Sequence, residues 1–111
     1  MTESDYARKE RFIKDPISRR LGNLAVNLNR VGVFAEKNSA ESVRNLIGES
    51  VRFIEWSAAD TAPEVSETLV QFQVQLARWQ LTWNDCWNDQ AQQQKIISAT
   101  KTMSEQVLNM I

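Results

Sequence analysis

The sequence predicts an all-α protein, an antiparallel up-down four-helix bundle with a short N-terminal arm. Three observations carry this. Apolar residues recur at alternating steps of four and three in four separate segments, the spacing of one face of an α-helix. Three Gly and two Pro are too few turn-formers for a sandwich or barrel of many strands. A chain of 111 residues, 42% hydrophobic and 24% charged, suits one packed domain and differs from the composition of a disordered chain. The expected division is an arm over 1–14, partly ordered, and a single bundle domain over 15–111.

The first helix is expected to open at Asp15-Pro16, with Asp15 as N-cap and Pro16 at the first helical position. Its seam is Ile17, Leu21, Leu24, Leu28, Val31 and Ala35. Gly22 and Gly32 weaken the helix by about 1 kcal/mol each relative to Ala, unless they admit a neighbouring helix. The second helix follows Asn38-Ser39, with Ser39 as cap. Val43, Ile47, Ser50, Ile54 and Ser57 form its seam, widened by Leu46 and Phe53. The serines there suggest tight packing or hydroxyls bonded back to their own helix.

The third helix opens at Thr61-Ala62-Pro63-Glu64, the pattern of a capping box. Its seam runs Val65, Leu69, Phe72, Leu76, Trp79, Trp83 without a polar exception. The fourth covers roughly 90–110, with Asp89 and Gln92 as a looser box. Ile96, Thr100, Met103, Val107 and Met110 form its seam, broadened by Ile97, Leu108 and Ile111. No Gly or Pro separates the third helix from the fourth. The alternative is a single helix from about 62 to 110, about 70 Å long at 1.5 Å per residue, buried in a helical dimer. Two features favour a break. Asn and Asp in Trp83–Asp89 prefer caps and turns, and extending the third seam would bury Gln90 and Gln93.

The chemistry open to this chain is narrow. It has no His and one Cys, so a di-iron carboxylate centre, a His-ligated haem and a zinc site are not expected. Cys86 has no His partner and reads as a small buried hydrophobe. No phosphate-binding glycine loop or nucleophile elbow occurs. Asp85 and Asp89 read as helix-end residues. The expectation is a protein that is not an enzyme and holds no cofactor and no metal. The N-terminal stretch lacks the apolar core of a signal peptide, and no apolar run approaches the roughly 20 residues of a membrane span. A cytoplasmic location is the default expectation.

Net charge is −1, so specific nucleic-acid binding is not expected of the whole chain. The charge is uneven: residues 1–37 carry eight Lys/Arg and five Asp/Glu (+3), residues 38–111 five and nine (−4). The basic stretch Arg8, Lys9, Arg11, Lys14, Arg19 and Arg20 reads first as a solvated face and second as a weak contact for nucleic acid or an anionic membrane.

Two further features concern surfaces. Val70, Val74, Ala77 and Leu81 form a second stripe on the third helix, away from its seam, flanked by Gln71, Gln73, Gln75, Arg78 and Gln80. A helix of a solitary bundle should be polar there, and an apolar stripe rimmed by uncharged amides resembles an interface. Val26 and Val33 lie off the first seam in the same way. Trp79, Trp83 and Trp87 step by four. The first two fall on the seam, and Trp87 falls off it as a contact candidate. The leading expectation is a small interaction or adaptor module that self-associates as a homodimer or binds another protein through Val70, Val74, Ala77, Leu81 and Trp87. The alternatives are a pocket for an apolar or aromatic small molecule at Trp56, Trp79 and Trp83, and the anionic contact of the basic stretch. The stripe has a competing explanation, that the arm with Tyr6 and Phe12 folds over it.

Overall fold

The structure, a computed structural model, describes residues 4–111, so the first three residues of the expected arm lie outside it. Six α-helices follow in order: α1 (Asp5–Ile13), α2 (Ile17–Glu36), α3 (Ala40–Glu55), α4 (Pro63–Leu81), α5 (Trp83–Trp87) and α6 (Gln90–Leu108), with a 3-10 turn at Ala58–Asp60 before α4. No strand occurs among the described residues. The long helices α2, α3, α4 and α6 coincide with the four periodic segments, and the protein is an all-α helical bundle.

The fused-helix alternative is overturned. Thr82 leaves the α4 path at φ −110°, ψ 29°, and its hydroxyl donates to the Arg78 carbonyl at 2.8 Å. The short helix α5 follows, and α6 starts afresh on Asp89, whose Oδ1 accepts from the amides of Ala91 at 2.9 Å and Gln92 at 3.4 Å. Asn and Asp act here as stop and cap, as their side-chain chemistry favours.

Other expected caps are replaced. Pro16, not Asp15, stands at the N-cap of α2. The α1–α2 turn engages the Asp15 backbone instead: its amide donates to Phe12 and its carbonyl accepts from Arg20. Ser39 does stand at the N-cap of α3, as expected, but its hydroxyl donates to the Ser42 hydroxyl and accepts from no first-turn amide. The box at Thr61 and Glu64 does not form. Ala62 is the N-cap of α4, Pro63 occupies its first turn, and the Thr61 hydroxyl turns back to the Ala58 carbonyl at 2.7 Å. At the other end of α2, Asn38 takes the left-handed conformation, φ 58°. The Ser39 amide donates to Phe34 and the Asn38 amide to Ala35, the paired bonds of a Schellman stop.

Cross-helix contacts fix the directions. Arg20 meets the Trp56 carbonyl and Asn27 meets Glu49, so α2 and α3 are antiparallel. Gln73 meets the Val51 carbonyl, and Gln80 lies against Gly48, so α3 and α4 are too. Ser104 donates to the Ala25 carbonyl at 2.8 Å, and Gly32 faces Thr100, so α6 runs against α2. In lateral order the helices stand α4, α3, α2, α6, with the most extensive packing between α2 and α6.

Every seam residue of α2 except the half-buried Ile17 is buried, as are Val43, Ile47 and Ile54 of α3, Leu69 and Leu76 of α4, and Ile96 and Val107 of α6. Thr100, fully buried, donates to the Ile96 carbonyl of its own helix at 2.7 Å. Ser50 and Ser57 are buried without a hydrogen-bond partner, so the expected back-bonding of their hydroxyls is not made.

Candidate functional site

The α4 stripe is open. Val70 and Val74 are 44% and 47% exposed and Leu81 86% exposed, with Ala77 half-buried between them. The arm does not cover it. α1 lies against α2 and α3, where Phe12 stacks on Phe53 with ring centroids 4.3 Å apart and leans on Trp56 at 5.7 Å. Phe12 is buried by this, while Tyr6 stays exposed. The aromatic contact fixes α1 on the side of α3 that carries Phe53, away from the stripe.

Beside the stripe lies a groove between α4 and α6, with a cavity volume of about 840 Å3. Phe72 and Trp79 from α4 and Met103 and Ala99 from α6 form its apolar floor. Amides of Gln71, Gln75, Gln92, Gln94 and Gln106 rim it, and Lys95 is its only charged lining residue. α4 and α6 are joined through α5 yet scarcely approach each other along their lengths. On its other side α6 meets Gly32 of α2, where an added Cβ would lie in ordinary van der Waals contact, 3.7 Å from Thr100 Oγ1 and 3.8 Å from the Ile97 carbonyl. The helix seats on α2 and leaves its other flank open.

The tryptophans do not gather at one pocket. Trp79 is in the groove. Trp83 and Trp87 stack on each other at the α4–α6 junction, centroids 5.2 Å apart and planes 15° apart. Trp87 is half-buried by this stack, and its carbonyl accepts from the Gln93 side chain. Trp56 belongs to the Phe12–Phe53 cluster at the opposite end of α3. Cys86 is buried, its Sγ 3.1 Å from the Thr82 hydroxyl.

The basic stretch is also dispersed. Arg20 is buried. Its Nη1 donates to Asp60 Oδ2 at 2.8 Å and to the Trp56 carbonyl at 3.2 Å, and its Nε donates to the Asp15 carbonyl at 3.0 Å. Arg8 pairs with Glu49 at 2.9 Å, and Arg19 stands 4.0 Å from Asp15. Lys9, Arg11 and Lys14 are exposed on or just after α1. Sequence reasoning missed Arg20 as a buried tie. The signal was its place beside Leu21 at the edge of the first seam. It also missed the groove, because Phe72 and Met103 read as ordinary seam residues. The row of small and amide side chains at Ser98, Ala99, Thr102 and Gln106, on one flank of the fourth seam, marked the wall that lacks a close neighbour.

No helix among the described residues is long and apolar enough to cross a membrane, and no group of His, Cys, Asp and Glu side chains among them could hold a metal ion. No protein-family model, curated protein or solved structure matches this chain. The fold defines the class, an all-α helical bundle, and the functional reading rests on the surfaces alone.

Proposed function

We propose that the protein is a non-catalytic helical interaction module that self-associates through α4. The observation that carries this reading is the uncovered stripe Val70, Val74, Ala77 and Leu81. Its steps of 4, 3 and 4 read the same in both directions. Two antiparallel copies therefore pair Val70 with Leu81 and Val74 with Ala77, and the reverse, as a two-fold interface requires. The flanking Gln71, Gln73 and Gln80 carry no charge, so two copies meet without like-charge repulsion along most of the contact. Light scattering on a size-exclusion column tests the reading. The expected mass is about twice the 12.8 kDa of one chain, falling to one chain in Val74→Glu plus Leu81→Glu with helical content kept. Both positions are exposed, so the charges tax association and not folding. A wild-type mass of one chain at high micromolar concentration would sink the proposal.

A second reading concerns the groove. Its volume lies within the roughly 300–1,000 Å3 of small-molecule sites, and Trp79 with Phe72 offers aromatic faces to a flat apolar ligand. A ligand held there quenches Trp79 emission and raises the melting temperature. The quenching is expected to vanish in Trp79→Phe and to persist in Trp56→Phe. Equal quenching in both variants would remove this reading.

A further inference from the structure

One constellation lies outside the α4 stripe and the groove. α3 carries Arg44, Gly48 and Arg52 at successive steps of four, so two guanidinium stems flank a position without a side chain on one helix face. With Arg8 of α1 and Gln80 of α4 they line a polar cavity of about 790 Å3. The glycine lets two donors come in over the helix: a Cβ at Gly48 would stand only 3.3 Å from Gln80 Nε2 and 3.8 Å from Arg52 Nη1.

The charges in this trough are unevenly satisfied. Glu49 has both oxygens engaged, Oε2 accepting from Arg8 at 2.9 Å and Oε1 from Asn27 at 2.7 Å. Arg44 has no ion pair among the described residues. Arg52 Nε is buried and makes no hydrogen bond. The Asp5 carboxylate stands 4.0 Å from it, on a largely exposed side chain, beyond hydrogen-bond reach. A buried donor on a charged group without an acceptor is costly. The acceptor that suits two guanidinium forks is an oxyanion with several oxygens.

We infer that the trough binds a phosphate-class oxyanion between Arg44 and Arg52, across Gly48. Arg8, held by Glu49, frames the site. Glu41 also lines the cavity and opposes an anion there, so it limits affinity.

The test is a titration of the 15N-labelled full chain with inorganic phosphate, with chloride at matched ionic strength as control. The Arg52 Nε–Hε resonance, assigned by its loss in Arg52→Lys, is followed. The expected result is a saturable shift, weakened at least about tenfold in Arg44→Gln, the loss of one hydrogen bond to a charged group. Arg44 is exposed, so this variant keeps the fold. Glu41→Gln is expected to tighten binding. A shift equal to the chloride control, or one that Arg44→Gln leaves unchanged, overturns the inference. Glycerol 3-phosphate and phosphatidic acid vesicles separate the sources. Binding of the former assigns a soluble phosphate monoester, capture by the vesicles alone assigns a lipid headgroup, and neither rejects the site.

Discussion

Helix α6 borders two helices and treats them differently. Against α2 it is close, with Ile96, Thr100 and Val107 fully buried, Gly32 facing Thr100 and Ser104 bonded to Ala25. Against α4 it leaves a groove floored by Phe72, Trp79 and Met103. Both flanks of α6 carry apolar side chains, so hydrophobicity alone did not choose. The difference lies in fit: the α6 seam makes complete dispersion contacts with α2, whereas no helix closes over Phe72 and Trp79 on the α4 side. The closed side stabilises the fold, and the open side leaves the apolar floor of the groove uncovered by a neighbouring helix.

Substitutions can break or sharpen this comparison. The largest effect is expected on the closed side. Leu28→Ala, at a fully buried position of α2, should cost about 3 kcal/mol in chemical denaturation, the usual loss for a core leucine. Gly32→Leu should come next, at about 2 kcal/mol from overpacking, because its side chain must push α6 off α2. Gly22 offers the control: nothing lies within 4 Å of a Cβ there, so Gly22→Ala should raise stability by about 0.5–1 kcal/mol. Asp89→Ala should cost about 1 kcal/mol by removing the acceptor that starts α6 after the α5 turn. Ala99→Leu, on the open side, should move stability by less than about 0.5 kcal/mol, since the groove has room for the added carbons. If Gly32→Leu and Ala99→Leu proved equally costly, the contrast between the two sides of α6 would fail.

Much of the architecture was legible because helices announce themselves locally. The seams of all four long helices could be read from spacing, and Asp89 was recognisable as a cap from its own side chain. The caps that failed did so where a second partner competed nearby. Thr61 found the Ala58 carbonyl of the 3-10 turn, and the Ser39 hydroxyl, though Ser39 holds the N-cap position of α3, found the Ser42 hydroxyl instead of a first-turn amide. The fate of the basic stretch was illegible for a related reason. Arg20 became a buried tie only because Asp60, 40 residues on, arrives beside it.

The sequence by itself determined that the chain is helical, where its long helices lie, which face of each is apolar, and that α4 bears a second apolar stripe. Those properties depend on residues within a few turns of one another. The tertiary structure decided that the arm packs on Phe53 and Trp56 rather than on that stripe, and that the tryptophans divide among three places. It also decided that α6 seats on α2 with a groove toward α4, and that Arg44 and Arg52 share an open polar trough. These outcomes depend on which surfaces fit closely enough to exclude water, and such a fit exists only once distant segments meet.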